Sequence, residues 1–150
     1  MKNEEYINDY YEEIKRKIID VESIILIKNY SINKKNLNNY YEIGKLIIEK
    51  QNTIDDIRKK DKVIEEYSKN LMEDLNDKYN SLLLKKIIKF YYLVEAGIIL
   101  SYNLSWDYYE EILLLKSVDE INYYLICAMK NNLSVKQLRR MIKNKEYELV

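Results

Sequence analysis

Three groups of residues in this chain have the types and spacing to act on a ligand. The first is Glu13-Ile14-Lys15, which matches the E-x-K end of a metal-dependent nuclease motif. That chemistry needs strands to converge several carboxylates on one ion. The tripeptide lies in a strongly helical stretch, so the motif lacks its context. Histidine is absent, which removes His-dependent triads, proton shuttles and His-ligated metals. Cys127 is the single cysteine, so neither a zinc cluster nor an internal disulfide can form. No glycine-rich loop is present to cradle phosphates. The residues therefore point to a binding module without cofactor, not to an enzyme in its own right.

The second group is basic. Lys136, Arg139, Arg140 and Lys143 fall at i, i+3, i+4 and i+7, one face of a helix, and Val135, Leu138 and Ile142 fall on the other. Such a helix can dock on a core and present cations to phosphates. The alternative is an ordinary solvated face, with cations near a helix C-terminus. Lys85, Lys86 and Lys89 form a second basic set, with no acid between Ser81 and Val94. That segment follows another helix after a short turn, as a recognition helix does. An acidic counterpart (Asp107, Glu110, Glu111, Asp119, Glu120) gives the surface two poles, which suits protein partners as well as nucleic acid. Formal net charge is zero, so any nucleic-acid surface must be local.

The third group is aromatic. Five Tyr-Tyr pairs (Tyr10-Tyr11, Tyr40-Tyr41, Tyr91-Tyr92, Tyr108-Tyr109, Tyr123-Tyr124) put neighbours about 100° apart on a helix. One of each pair can face the core while the other sits nearer the rim, where tyrosines stack on bases or anchor partners. Core packing is the simpler role, and Trp106 reads as a core anchor.

The elements that must position these groups are helices. A chain with no proline and two glycines among 150 residues can hardly make tight hairpins. The expected fold is a single all-α domain over residues 1–150, a bundle of six to seven helices. A helix-turn-helix or winged-helix-like arrangement is compatible with it. The first helix is predicted from about Asn3 to Lys28. Its stripe of Ile7, Tyr11, Ile14, Ile18, Val21 and Ile25 packs on its own domain or, in a second reading, forms a homodimer seam. The polar stretch NYSINKKNLNN is read as a break. A second helix then runs from Lys35 to Gln51 and buries Leu37, Tyr41, Gly44 and Ile47 or Ile48. Gly44 inside a helix implies close approach of another helix.

A third helix is predicted over Asp61 to Lys78 with Ile64, Tyr67, Leu71 and Leu75 inward, and a fourth over Ser81 to Ala96 with Gly97 just past its end. Ser105 is read as the next N-cap. Ser117-Val-Asp-Glu120 and Ser134-Val-Lys-Gln137 both match the capping box, with Asn131-Asn132 as the stop between them. The acidic, polar N-terminus is no signal peptide, and the longest uncharged run is too short to span a membrane. The expected compartment is the cytoplasm.

Several stretches together resemble the N-terminal domain of YhcG-like proteins. Tyr41-Glu-Ile-Gly44-Lys-Leu-Ile47 with Gln51 is similar to that family's "YW-x-IG-x-x-I…Q". Val63-Ile64 through Leu71 follows its next helix, and Phe90-Tyr91 its "FY". Leu104-Ser105-Trp106 with Tyr109 matches "LSW-x-x-Y". Asn132 to Ile142 follows "NWSVRQLERQI". The family's basic position before "x-FY" is Ile88 here, its "GFS" turn is Lys78-Tyr-Asn-Ser81, and its Trp before "SVR" is Leu133. The resemblance implies a helical, winged-helix-like DNA-binding module that normally precedes a PD-(D/E)xK nuclease domain. Here it implies the targeting half of a bacterial or mobile-element protein without the cutting half. The partner expected is nucleic acid, DNA first. The alternative is a protein-interaction module, such as a dimerising adaptor or a small phage-type inhibitor of a nuclease or defence complex.

Overall fold

No glycine or proline interrupts residues 1–43, and the polar stretch after Lys28 does not break the helix. In the computed structural model, which describes the backbone of residues 2–98 and 101–149 and the side chains within those bounds from residue 10, one helix runs from Lys2 to Asn52. We label it α1. This corrects the expectation of two helices with a break between them. Asn and Ser cost a helix only a few tenths of a kcal/mol each, so a polar stretch without Gly or Pro is a weak stop. Tertiary packing decides the matter, because Leu37 is fully buried and the Asn33 amide donates to the Tyr102 carbonyl at 2.9 Å.

The remaining elements are α2 (Ile57–Asp74), α3 (Ser81–Glu95), α4 (Trp106–Ile112), α5 (Val118–Lys130), α6 (Val135–Lys143) and a 3-10 turn at Glu146–Leu149. Among the described residues there is no strand, so the fold is an all-α bundle. Local chemistry sets most boundaries. Asp56 and Asn80 cap α2 and α3 by accepting from the backbone N–H of Arg58 and Leu83. The Asp56 cap starts α2 earlier than expected, and Leu75 falls at its C-cap, exposed instead of inward. Gly97, at φ +77°, takes the left-handed position just past α3. Ser117 caps α5 through Glu120 N, while Ser134 and Gln137 make the full reciprocal box on α6. Asn132, at φ 53°, turns the chain between α5 and α6.

The C-terminal half of α1 lies along α3, and α2 packs on both. Gly44 permits this contact. A Cβ built there would sit 2.7 Å from Tyr91 Cβ and 2.9 Å from the Ile87 carbonyl oxygen. A second group, α4, α5, α6 and the 3-10 turn, joins the first through aromatic packing. Trp106 stacks on Tyr40 with centroids 4.0 Å apart and meets Phe90 edge-on at 5.4 Å. One continuous core results, centred on Leu37, Leu84, Ile87, Phe90, Ile112, Tyr124 and Leu138.

The N-terminal half of α1 does not join this core. Every residue from Tyr11 to Ile32 is exposed, including the stripe of Tyr11, Ile14, Ile18, Val21 and Ile25. The expectation that the stripe packs on its own domain is therefore corrected: its side chains from Tyr11 to Ile25 are exposed, and among the described residues the buried ones of α1 begin at Leu37. The Ile7 side chain lies outside the described residues. The tyrosine pairs divide as expected in the last two cases, with Tyr109 and Tyr124 buried and Tyr108 and Tyr123 half-buried. Tyr11 is exposed with its neighbour, because α1 has no core to face there.

Candidate nucleic-acid interface

Helix α6 is held in place from several sides. Its capping box fixes the first turn, and Leu138 is fully buried with Met141 and Ile142 half-buried beside it. Tyr108 donates to the Leu133 carbonyl at 2.7 Å and so ties down the turn before the helix. With the apolar side locked, Lys136, Arg139, Arg140 and Lys143 all face outward and are exposed. The expected division of this helix into two faces holds.

The four cations are not equivalent. Arg139 reaches across to α4, where its Nη2 and Nε donate to one Glu111 carboxylate oxygen at 2.6 and 3.0 Å. The hydrogen bond and charge of Glu111 push the Arg139 pKa further up. Half of this pair was visible in the sequence as a basic face and the other as an acidic cluster. Nothing in the spacing joined them, since they are 28 residues apart. Lys136, Arg140 and Lys143 make no ion pair among the described residues.

The second basic set is less free. Lys85 is exposed, but Lys86 and Lys89 are half-buried on a helix whose other residues, Leu83, Leu84, Ile87 and Phe90, are core. Ile88, which stands at the basic position of the resembled family, packs against that core. Whereas α3 packs on α1 and α2, α6 packs on α4, α5 and the 3-10 turn, so different halves of the bundle hold the two lysine-rich faces. The connection between α5 and α6 is residues 131–134, and that between α2 and α3 is the longer 75–80.

The residues that carried the family resemblance are mostly packing residues. Gly44 is the α1–α3 contact, Phe90 and Trp106 are core, and Tyr109 clamps the loop before α4. The Tyr109 hydroxyl donates to the Ser101 carbonyl at 2.8 Å and accepts from its N–H at 2.9 Å. Burial raises the Tyr109 pKa to about 12.

The family model for the DUF1016 N-terminal domain matches residues 6–149. The chain belongs to this family. It is the N-terminal domain of the YhcG-like proteins, in which the catalytic part is a separate C-terminal domain. No curated protein and no solved structure gives a match. Among the described residues, no helix is long and apolar enough to cross a membrane, and no cluster of His, Cys, Asp or Glu could hold a metal ion. Glu13 and Lys15 lie exposed on α1, in helical backbone.

Proposed function

We propose that this DUF1016 N-terminal domain is a non-catalytic targeting module that binds nucleic acid, DNA in the first instance, through α6. The observation that carries this reading is the rigid mounting of α6 with Lys136, Arg140 and Lys143 exposed and unpaired. Backbone phosphates are bound by cations presented in this way, and a helix behind a short turn is a common means of presenting them. Arg139 contributes less in this reading, because Glu111 already neutralises it. Lys85, with the stems of Lys86 and Lys89 partly packed, supplies a secondary contact.

The test is duplex binding measured across a salt series. Three phosphate contacts give a slope of log K against log salt of roughly −3 per copy. Alanine at Arg140 and Lys143 together weakens binding on every sequence tested, and Arg139→Ala alone has the smaller effect. A flat salt response, or an unaffected Arg140/Lys143 double variant, would reject the reading.

A second reading is favoured by the exposed half of α1. An apolar helical stripe uncovered by its own chain is a protein-binding surface in the making. In that reading the domain is a dimerising adaptor, or a small phage-type inhibitor of a nuclease or defence complex, and it shows little affinity for DNA at physiological salt.

A further inference from the structure

The N-terminal half of α1 projects from the bundle without support. Residues 11–32 rise roughly 32 Å along the helix axis. An isolated helix of this length is marginal in water, and helices in proteins are held mainly by packing of an apolar face. Here Tyr11, Ile14, Ile18, Val21, Ile25 and Ile32 are 46% to 58% exposed. Their spacing alternates three and four, except that Lys28 occupies the step before Ile32. In heptad terms Tyr11, Ile18, Ile25 and Ile32 are a positions, and Ile14, Val21 and Lys28 are d positions.

We propose that this segment associates with other copies of the same chain as a parallel, in-register coiled coil. Three observations select a copy of this chain as the occupant. First, a groove on α1 is lined by Ile14, Lys17, Ile18, Val21 and Glu22. Four of these, the d, g, a and d residues of successive heptads, form the hole that receives an a-position knob from a facing helix. Ile18 of a second copy is that knob. Second, the flanks of the stripe are self-complementary. Lys17 is at g and Glu22 is at the following e, so each meets its opposite on the neighbouring copy, and symmetry repeats the pair. An antiparallel arrangement would leave Lys17 out of this pairing. Third, the domain does not block the seam. Residues of α1 that contact the bundle, such as Leu37, Gly44 and Ile47, lie beyond the C-terminal end of the stripe.

The choice of side chains bears on stoichiometry. β-branched residues at both a and d favour more than two strands. Ile24, at g and 65% exposed, widens the apolar seam in the same sense.

Light-scattering mass across a concentration series of the full chain tests the proposal. The wild-type protein is expected at two or more times 18.3 kDa. Ile18→Asp with Ile25→Asp is expected at the monomer mass, with the near-ultraviolet signal of Trp106 intact to show that the bundle remains folded. Lys17→Glu alone creates like-charge pairs and raises the dissociation constant roughly tenfold. Adding Glu22→Lys restores it. A wild-type monomer at tens of micromolar overturns the proposal. Failure of the Glu22→Lys reversal to rescue Lys17→Glu overturns the parallel register. Neither outcome involves nucleic acid, so both are independent of the α6 reading.

Discussion

Tyr109 shows how much a single buried hydroxyl can hold. It both donates to and accepts from Ser101 across the loop before α4. Replacement by Phe leaves those two backbone groups to find other partners, at a cost of about 1–3 kcal/mol, read as a lowered midpoint of thermal unfolding at neutral pH. The pH dependence has a definite sign. Tyr109 holds its proton to about pH 12 in the folded chain, against about 10 when unfolded. Between those values the unfolded state binds fewer protons, so stability falls as pH rises. The wild-type advantage over Tyr109→Phe should shrink between pH 10 and 12 and be constant below. A gap that grew on alkalinisation would contradict the assignment. Individual residues were unevenly legible in sequence. Leu138, Trp106 and the outward cations of α6 follow from period and residue type. The Arg139–Glu111 pair does not, because it depends on how α4 and α6 are juxtaposed.

Among the helices, those with capping chemistry were the best anticipated. Ser117, Ser134 and Gly97 each mark an end by a local hydrogen bond or a backbone conformation, and local signals survive folding. The continuity of α1 was not legible. Asn-rich sequence weakens a helix without ending it, and the contacts that hold this stretch come from residues about 70 positions away. Gly44 is a sharper case. In a lone helix Gly44→Ala would stabilise by roughly 1 kcal/mol. Here the added methyl meets the Tyr91 side chain and the Ile87 backbone under 3 Å away. One of these is main chain, so α1 and α3 must separate, and we expect Gly44→Ala to destabilise by about 1–3 kcal/mol. Denaturant titration checks the sign, and a net gain would mean the helix pair is looser than described.

At the scale of the whole molecule, the fold class followed from composition, whereas the ligand did not. The motifs that place the chain in its family are largely core residues, so they specify a scaffold and leave the outer surface to be read by geometry. Charge tells a similar story. The formal net charge is zero, and the basic face of α6 meets the acidic cluster of α4 at the Arg139–Glu111 ion pair. Helix α1 adds a property that none of these concerns. At 51 residues it is a rod of roughly 76 Å. A compact chain of this size has a radius of gyration near 15 Å, while such a rod alone has about 22 Å. Small-angle scattering should therefore give a value well above 15 Å and a skewed distance distribution, whatever the number of copies. A compact value would mean that the helix folds back on the bundle. The same asymmetry makes the molecule diffuse slowly for its mass, so a sizing column will report a particle larger than the one present.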